Sequence, residues 1–332
     1  MGQERRGGRA RVARLVVAVS LCTIVIGAAA VVPAAASVRR QSVTPHRAKA
    51  SLPLESEVAA FLGVLTNPTA SPPGANNASC KPSSAHPYPV ILVPGTFASM
   101  ADSFGAISPA LVNEGYCVYS FNYGQTLTGR PFYGTGEIGA SAGELETFVD
   151  QVLAETGASK VDLVGHSQGG MMPRYYIKYL GGASKVNMLV GLAPSNNGTT
   201  LDDIATVFRT LFGELGLDIV SSACEACTEQ IKGSSFLDNL NSGGETVSGV
   251  KYVVIESIFD EVVTPYTSAF LPAASNVQNI TLQDQCPLLD YADHISIIYD
   301  SNALQDIENA LGADKSNFHP SCSYVGALVG DD

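Results

Sequence analysis

The chain has 332 residues and a net charge of −12, and its 45% hydrophobic content is enough to build the core of one large domain. The acidic balance gives no reason to expect nucleic acid or an anionic membrane as a partner.

The first 36 residues have the pattern of a secretory signal peptide. Five arginines precede an apolar run over residues 15–32, and a small-residue A-x-A site follows at 33–36. An uncleaved membrane anchor is the alternative, because the run is about long enough to span a bilayer. The A-x-A site favours cleavage, which would lower the net charge from −12 to −16, since the segment carries five Arg and one Glu. We therefore expect a secreted, extracellular protein.

Residues 37–87 are rich in Ala, Ser, Pro and Asn, which predicts a loosely ordered leader with one short helix at 55–65. From residue 88 onward, short apolar runs alternate with helical patterns. Strands are predicted at 88–93, 116–123, 161–164, 186–192, 250–257 and 277–282, and helices at 102–114, 137–156, 170–180 and 302–311. This alternation predicts an α/β fold with a mostly parallel sheet and helices on both of its faces.

One strand leads directly into the pattern G-x-S-x-G, formed by Gly165, Ser167 and Gly169. Between a strand and a helix this pattern is typical of the nucleophile elbow of serine hydrolases. Its turn is so sharp that side chains at the two glycines would collide with the neighbouring strand and helix. The serine hydroxyl is thereby exposed, and the backbone N–H of Gln168 points to where an oxyanion would form. The alternative is a serine in an ordinary glycine turn, and the additional Gly170 favours the elbow.

A serine nucleophile needs a histidine to take its proton and a carboxylate to orient that histidine. In elbow hydrolases the chain order is serine, acid, histidine. His294 and His319 both follow Ser167. His294 is favoured because it lies in a loop after the last predicted strand, whereas His319 is expected on the surface near the C-terminus.

Asp260 is the predicted acid, because it follows the end of the strand predicted at 250–257, and Glu261 is the alternative. Three other acids between Ser167 and His294 are expected to be solvated loop residues: Asp284, Asp290 and Asp293.

The second oxyanion donor is expected in the loop after the first core strand. There Gly95 lets the backbone pass close to a substrate, and Thr96 offers both an N–H and a hydroxyl. Thr96 would act beside the backbone N–H of Gln168.

The alternation of strands and helices stops between residues 196 and 249. Within this segment, residues 201–215 have apolar side chains at helical spacing. A helix docked on the core is the simpler interpretation. The other is a lid whose apolar face covers a lipid-binding mouth.

Six cysteines remain once Cys22 of the signal peptide is set aside, and an even number in an exported chain predicts three disulfides. The spacing of Cys224 and Cys227 would also suit a redox or zinc pair. No second C-x-x-C and no nearby histidine supports a metal, so a small local disulfide is favoured. The six are Cys80, Cys117, Cys224, Cys227, Cys286 and Cys322.

The chain resembles the class 2 secreted bacterial lipases of the α/β-hydrolase fold in five motifs that occur in the same order, namely ILVPGTF, GYCVYSFNYG, VGHSQGGMM, FDEVVTP and CPLLDYADH. It is also similar to a yeast lipase of that fold. It departs from that enzyme at His166 and Phe97, where the yeast lipase has an aromatic residue and a glycine.

The resemblance extends over about residues 80–322 and implies the α/β-hydrolase fold. Together with the alternating pattern that begins at residue 88, it predicts a catalytic domain over residues 88–332. It implies a catalytic triad of Ser167, Asp260 and His294, with Thr96 and Gln168 as the oxyanion pair. It also implies disulfides Cys80–Cys117 and Cys286–Cys322, which leaves Cys224–Cys227.

We therefore expect a triacylglycerol lipase that forms an acyl-enzyme and needs no metal or organic cofactor. It is expected to act as a monomer on lipid or other esters, with a lipid–water interface as a possible partner. An acyltransferase or a polyester depolymerase would use the same triad. A secreted binding protein that kept the fold without the chemistry is an alternative of another class.

Overall fold

The computed structural model describes residues 51–56, 59–60, 63, 67, 69–126, 132–200, 224–312 and 315–327. The signal peptide, most of the short helix predicted at 55–65 and the apolar segment 201–215 lie outside the described residues. Residues 50–332 form one compact unit. No helix of the described part has both the length and the apolar character that crossing a bilayer requires.

Six strands form one sheet in the order β2-β1-β3-β4-β5-β6, and every neighbouring pair is parallel. The strands are β1 (Val90–Val93), β2 (Val118–Ser120), β3 (Val161–His166), β4 (Val186–Leu192), β5 (Lys251–Glu256) and β6 (Val277–Thr281). Each of the six predicted strands is present, within a few residues of its expected ends.

Eight α-helices lie in the described residues, namely α1 (Met100–Ser103), α2 (Ile107–Glu114), α3 (Ile138–Thr156), α4 (Gln168–Tyr179), α5 (Glu225–Glu229), α6 (Ser235–Asn241), α7 (Leu282–Gln285) and α8 (Ser301–Leu311). The helix predicted at 102–114 is divided into α1 and α2. Gly105 lies in the break, and glycine is a poor helix former. Helices α5, α6 and α7 were not predicted.

The sheet has an apolar core on each face. Because successive side chains of a strand point to opposite faces, β1 contributes Ile91 and Val93 to one core and Val90 and Leu92 to the other. The first core includes side chains of α3 and α4, and the second includes side chains of α2 and α8. Both faces of the strands are therefore buried, which explains their continuous apolar runs. The predicted α/β-hydrolase fold is confirmed.

Part of the predicted leader runs along the open edge of β2. The backbone N–H of Asn76 donates to the carbonyl oxygen of Val118 at 2.9 Å, and its side-chain Oδ1 accepts the N–H of Ser120 at 2.9 Å. A disulfide joins Cys80 to Cys117 directly before that strand. Residues 69–87 therefore have specific contacts with the domain.

Candidate active site

Ser167 lies in a sharp turn between β3 and α4. Its backbone has φ 55° and ψ −123°, a strained conformation for a residue with a side chain. A Cβ added to Gly165 would lie 1.9 Å from the carbonyl oxygen of Gly169, and one added to Gly169 would lie 2.1 Å from that of Val93. The close approach of strand, turn and helix therefore requires both glycines, as the elbow interpretation predicts.

Ser167, His294 and Asp260 form one chain of hydrogen bonds. The Oγ of Ser167 lies 3.0 Å from Nε2 of His294, and Nδ1 of the same ring lies 2.7 Å from Oδ2 of Asp260. The other carboxylate oxygen, Oδ1, accepts the backbone N–H groups of Val262 and Val263 at 2.7 Å each. The carboxylate is thereby held in place, and with Nδ1–H donating to it, Nε2 is left to accept the serine proton.

The electrostatics of the pair favour an ionised Asp260. Burial alone would lower the pKa of His294, but Asp260 and, to a smaller extent, Glu261 and Asp293 raise that pKa above its ordinary value. Burial alone would raise the pKa of Asp260, but His294 and the backbone hydrogen bonds lower that pKa below its usual value. A carboxylate that stays charged can orient a histidine and stabilise its protonated form.

Two further titratable side chains border this pair. The Nε2–H of His166 donates to the carbonyl oxygen of His294 at 2.7 Å, and burial lowers the pKa of His166 to about 3, so its ring is neutral at neutral pH. Glu256, at the end of β5, is completely buried. Burial, assisted by the negative charge of Asp260, raises the pKa of Glu256 well above its ordinary value. Burial and the charge of Asp260 therefore both oppose a second negative charge at Glu256.

The alternative acid and histidine lie outside this chain of hydrogen bonds. Glu261 accepts the backbone N–H of His294 at 3.3 Å through its Oε2, so it contacts the main chain and not the ring. His319 and Asp284 are exposed, as expected.

The expectation of solvated loop residues is wrong for Asp290 and Asp293, which are both buried. Oδ1 of Asp293 accepts the backbone N–H groups of Ile295 and Ser296 at 3.1 and 2.8 Å. Oδ2 of Asp290 accepts from the side-chain amide of Asn302 at 3.0 Å. Each carboxylate bonds to its own turn or to a nearby helix, which short acidic side chains do readily.

Four polar side chains meet around the predicted oxyanion pair. The hydroxyl of Thr96 donates to Oε1 of Gln168 at 2.6 Å. The side-chain amide of Gln230 donates to Thr96 Oγ1 at 2.9 Å and to Gln168 Oε1 at 3.1 Å. Oε1 of Gln230 accepts the hydroxyl of Ser195 at 2.8 Å. Gln168 is also the first residue of α4, so its backbone N–H has no acceptor within the helix and is available to a ligand.

Gln230 was not among the residues predicted from the sequence. It directly follows α5, whose first turn is closed by the Cys224–Cys227 disulfide. The Glu229 carboxylate accepts the backbone N–H of Ile138 at 2.7 Å, which attaches α5 to the start of α3. A single glutamine in a polar stretch has no periodicity or motif that could have indicated its place.

A buried arginine joins the chain on the two sides of the undescribed segment 201–223. Arg174 of α4 donates to the carbonyl oxygen of Asn196 at 3.2 Å and to the side chain of Asn241 at 2.6 Å. It also donates to the carbonyl oxygen of Glu245 at 3.1 Å and lies 3.7 Å from the carboxylate of that residue. Described residues that precede and follow this segment in the chain are therefore both attached to the helix that follows Ser167.

The six cysteines of the described part pair as the resemblance implied, in disulfides Cys80–Cys117, Cys224–Cys227 and Cys286–Cys322. Within the described ranges, no group of three or more histidine, cysteine or acidic side chains could hold a metal ion.

Comparison with known families and proteins is consistent with this site. The model of the family Lipase (class 2) matches residues 87–307, which is more than half of the chain. Triacylglycerol lipases of Pseudarthrobacter phenanthrenivorans and Burkholderia plantarii are each 42% identical to this chain over 93 residues. That alignment covers 26% of this chain but only 27% and 24% of the two relatives, so the chain matches about a quarter of their length.

Two solved structures share the fold. Aspergillus fumigatus lipase B has a TM-score of 0.55 at 22% identity, over 75% of this chain and 60% of that one. The mature form of a Bacillus licheniformis lipase has a TM-score of 0.52 at 17% identity, over 72% of this chain and 95% of that one.

Proposed function

The chain belongs to the class 2 lipase family, and from this premise we propose that it is a secreted carboxylic-ester hydrolase that acts on triacylglycerols through an acyl-enzyme. The observation that carries the proposal is the chain of hydrogen bonds from Ser167 Oγ to His294 Nε2 and from His294 Nδ1 to Asp260 Oδ2, at 3.0 and 2.7 Å. It supplies a nucleophile, a base and an orienting carboxylate in the arrangement that acyl transfer needs.

In the first half-reaction, Ser167 Oγ attacks the ester carbonyl carbon while its proton moves to Nε2 of His294. The carbonyl oxygen becomes an oxyanion, which the backbone N–H groups of Gln168 and Thr96 stabilise. The Thr96 hydroxyl joins them by turning its proton from Gln168 Oε1 to the oxyanion. When the tetrahedral intermediate collapses, the bond to the alcohol oxygen breaks. The leaving alcohol takes the proton from Nε2, and the acyl group remains on Ser167.

Water completes the cycle. His294 Nε2 accepts a proton from a water molecule as its oxygen attacks the acyl carbon, and the same oxyanion donors act again. Collapse breaks the bond to Ser167 Oγ, which recovers its proton from His294, and the carboxylic acid departs. Asp260 keeps its charge throughout and stabilises the protonated ring of His294 in each half-reaction.

Three features support secretion and the substrate class. The basic, apolar and small-residue order of residues 1–36 suits export, and three disulfides suit an oxidising compartment. The triacylglycerol lipases among the relatives favour lipid esters over small dissolved ones as the natural substrate.

The test is Ser167→Ala, compared with the wild-type protein on triacylglycerol droplets and on a dissolved p-nitrophenyl ester. We expect kcat to fall by about a million-fold with an unchanged melting temperature, because the hydroxyl supplies chemistry and not packing. His294→Ala should behave alike, and His319→Ala, the matched control, should be nearly silent.

A fluorophosphonate probe should label the wild type at Ser167 and should fail to label Ser167→Ala. An unlabelled but folded wild-type protein would favour the non-catalytic alternative. Labelling with transfer to added alcohols and little hydrolysis would favour an acyltransferase.

A further inference from the structure

Large apolar side chains are exposed in one part of the described surface far more than elsewhere. Six of the eight such residues are Ile258, Phe259, Leu288, Leu289, Tyr291 and Tyr324, which we call the apolar patch. The ring of Phe259 stacks on that of Tyr291 at 5.3 Å between centroids, and the ring of Tyr291 lies 6.1 Å from that of Tyr324. Leu288 is 84% exposed and Tyr324 is 67% exposed, so the patch is open to solvent.

The backbone that presents the patch is held firmly. Cys286 and Cys322 form a disulfide. The N–H of Tyr291 donates to the carbonyl oxygen of Val325 at 3.0 Å, and the N–H of Val325 donates to that of Leu289 at 2.8 Å. These bonds join the loop before His294 to the C-terminal segment.

The loop after β5 is attached to the same structure. The side chain of Gln283 accepts the N–H of Ile258 and donates to the hydroxyl of Ser257, each at 2.9 Å. That hydroxyl also donates to the carbonyl oxygen of Ala292. The neighbouring exposed rings of Phe259, Tyr291 and Tyr324 are therefore presented on a cross-linked backbone, and exposed apolar side chains grouped in this way mark an interaction site.

The same two loops carry the proposed catalytic pair. Phe259 directly precedes Asp260, and Tyr291 lies three residues before His294. Asp260 and His294 are buried and joined at 2.7 Å, whereas their loop neighbours in the patch are exposed. A body bound to the patch would therefore contact the loops that hold the catalytic histidine.

The chemistry of the patch selects among occupants. Its six side chains are uncharged, and no Lys or Arg occurs between Lys251 and Lys315 or after Lys315, so the segments that form the patch offer no positive charge to an anionic membrane or a nucleic acid. Glu261 and Asp284 are exposed acids on the flanks. A second copy would bring the same acids and the same negative net charge to the contact, which opposes association. Tyrosine rings suit a boundary where one end is apolar and the other is wet.

We propose that the apolar patch is the surface by which this protein adsorbs to uncharged lipid, as at the surface of a triacylglycerol droplet. The inference rests on the proposed function, since it names the partner of the same active site. It does not involve residues 201–215, so adsorption and any lid movement are separate properties.

The test is flotation with triolein droplets stabilised by phosphatidylcholine. Binding is measured in the Ser167→Ala background, so that no hydrolysis alters the droplets. Leu288→Ser combined with Tyr324→Ser should lower the ratio of bound to free protein by about tenfold or more, because both side chains lose their apolar contact with lipid. Leu54→Ser is the matched control, since Leu54 is 51% exposed and lies outside the patch.

In the background with Ser167 intact, the double variant should lose droplet hydrolysis in proportion and keep its rate on a dissolved ester and its melting temperature. If the double variant does not fold, Tyr324→Ser alone is the test variant. A bound ratio that stays within twofold of the parent, or one that Leu54→Ser lowers equally, would overturn the proposal. Binding to phosphatidylglycerol vesicles but not to droplets would also overturn it, as would a wild-type dimer that the double variant dissociates.

Failure of the proposed function can be distinguished from failure of the adsorption proposal, because the former would appear as a wild-type protein that hydrolyses no ester. Flotation of the Ser167→Ala protein needs no chemistry, so the patch can be judged in either case.

Discussion

The two sides of the candidate active site are built differently. On one side, backbone contacts determine the residue types, since Gly165 and Gly169 lie where any side chain would overlap main-chain atoms. On the other side, Thr96 and Gln168 are held by a side-chain network centred on Gln230. A position where backbone geometry excludes all but one residue type can be recognised in a sequence. A position held by one of several possible polar side chains cannot.

The largest effect is expected on stability, from Gly169→Ala, which disturbs the side of the site that depends on close backbone contacts. The added Cβ would lie 2.1 Å from the carbonyl oxygen of Val93 and 2.5 Å from that of Pro94, so strand and helix must separate. We expect a loss of more than about 4 kcal/mol in the free energy of unfolding, and little folded protein. Gly143→Ala in α3 is the matched control, because its Cβ would meet nothing within 4 Å. It should gain about 1 kcal/mol, as alanine does over glycine in a helix. Equal melting temperatures for the two variants would contradict the comparison.

Asp260→Asn changes the partner of His294, the base on which the chemistry depends whichever side of the site is considered. His294 must be neutral to accept the serine proton, and its pKa is raised above 6.5 despite burial, chiefly by Asp260. Activity should therefore fall as the pH drops through a midpoint above 6.5 in the wild-type profile of kcat/KM. Asp260→Asn should lower kcat by about ten-thousand-fold and move the acid limb to lower pH, because the charge that favours the protonated ring is gone.

Glu261→Gln should move the same limb in the same direction by less, since Glu261 is a weaker cause of the raised pKa of His294. It should have little effect on kcat at alkaline pH. An acid limb that does not move in Asp260→Asn would exclude Asp260 as the partner of His294.

Thr96→Val and Gln230→Leu test the side of the site that is held by the side-chain network around Gln230. Losing one oxyanion donor should lower kcat about a hundred-fold in Thr96→Val, and we expect about a tenfold loss in Gln230→Leu, which keeps the donors but removes their support. If Gln230 acts through Thr96, the double variant should be little worse than Thr96→Val. Independent, multiplying losses would show that Gln230 acts by another route, and losses in KM alone would mean that Thr96 only lines the pocket.

The smallest effect should come from the region that neither side includes, residues 201–215. If this segment is a lid, the closed form should dominate in water, because exposing its apolar face costs about 25 cal/mol per Å² of apolar area. The lid interpretation predicts a rate on a partly soluble ester that rises steeply once droplets appear, and Phe208→Ser with Phe212→Ser should then blunt that rise by a few-fold while sparing a dissolved ester. A helix docked on the core predicts instead a lower melting temperature and a parallel fall of all activities.

The parts of the fold that repeated physical rules determine were predictable. The strands followed from apolar runs, and the elbow followed from its glycines. The position of Asp260 could be predicted, because the acid must follow a strand. The position of Gln230 could not be predicted, because it depends on where α5 packs, and α5 has only five residues and no apolar periodicity. Asp290 and Asp293 look like loop acids in the sequence, and only the fold shows that turn N–H groups and amides bury them.

The contact of Asn76 with β2 has a consequence for maturation by proteolysis. Asn76 occupies hydrogen-bonding groups of Val118 and Ser120 that a strand at a sheet edge would otherwise offer to another chain. A protease that trims the leader up to residue 70 leaves this contact intact. A cut between Asn76 and Cys80 would uncover the edge, because nothing covalent would then hold Asn76 to the domain. A cut beyond Cys80 would leave the fragment that carries Asn76 attached to Cys117 through the disulfide. A processed enzyme that resists aggregation must therefore keep the chain from Asn76 onward. The contact with the edge strand, and not the start of the first strand, determines how far the leader can be removed.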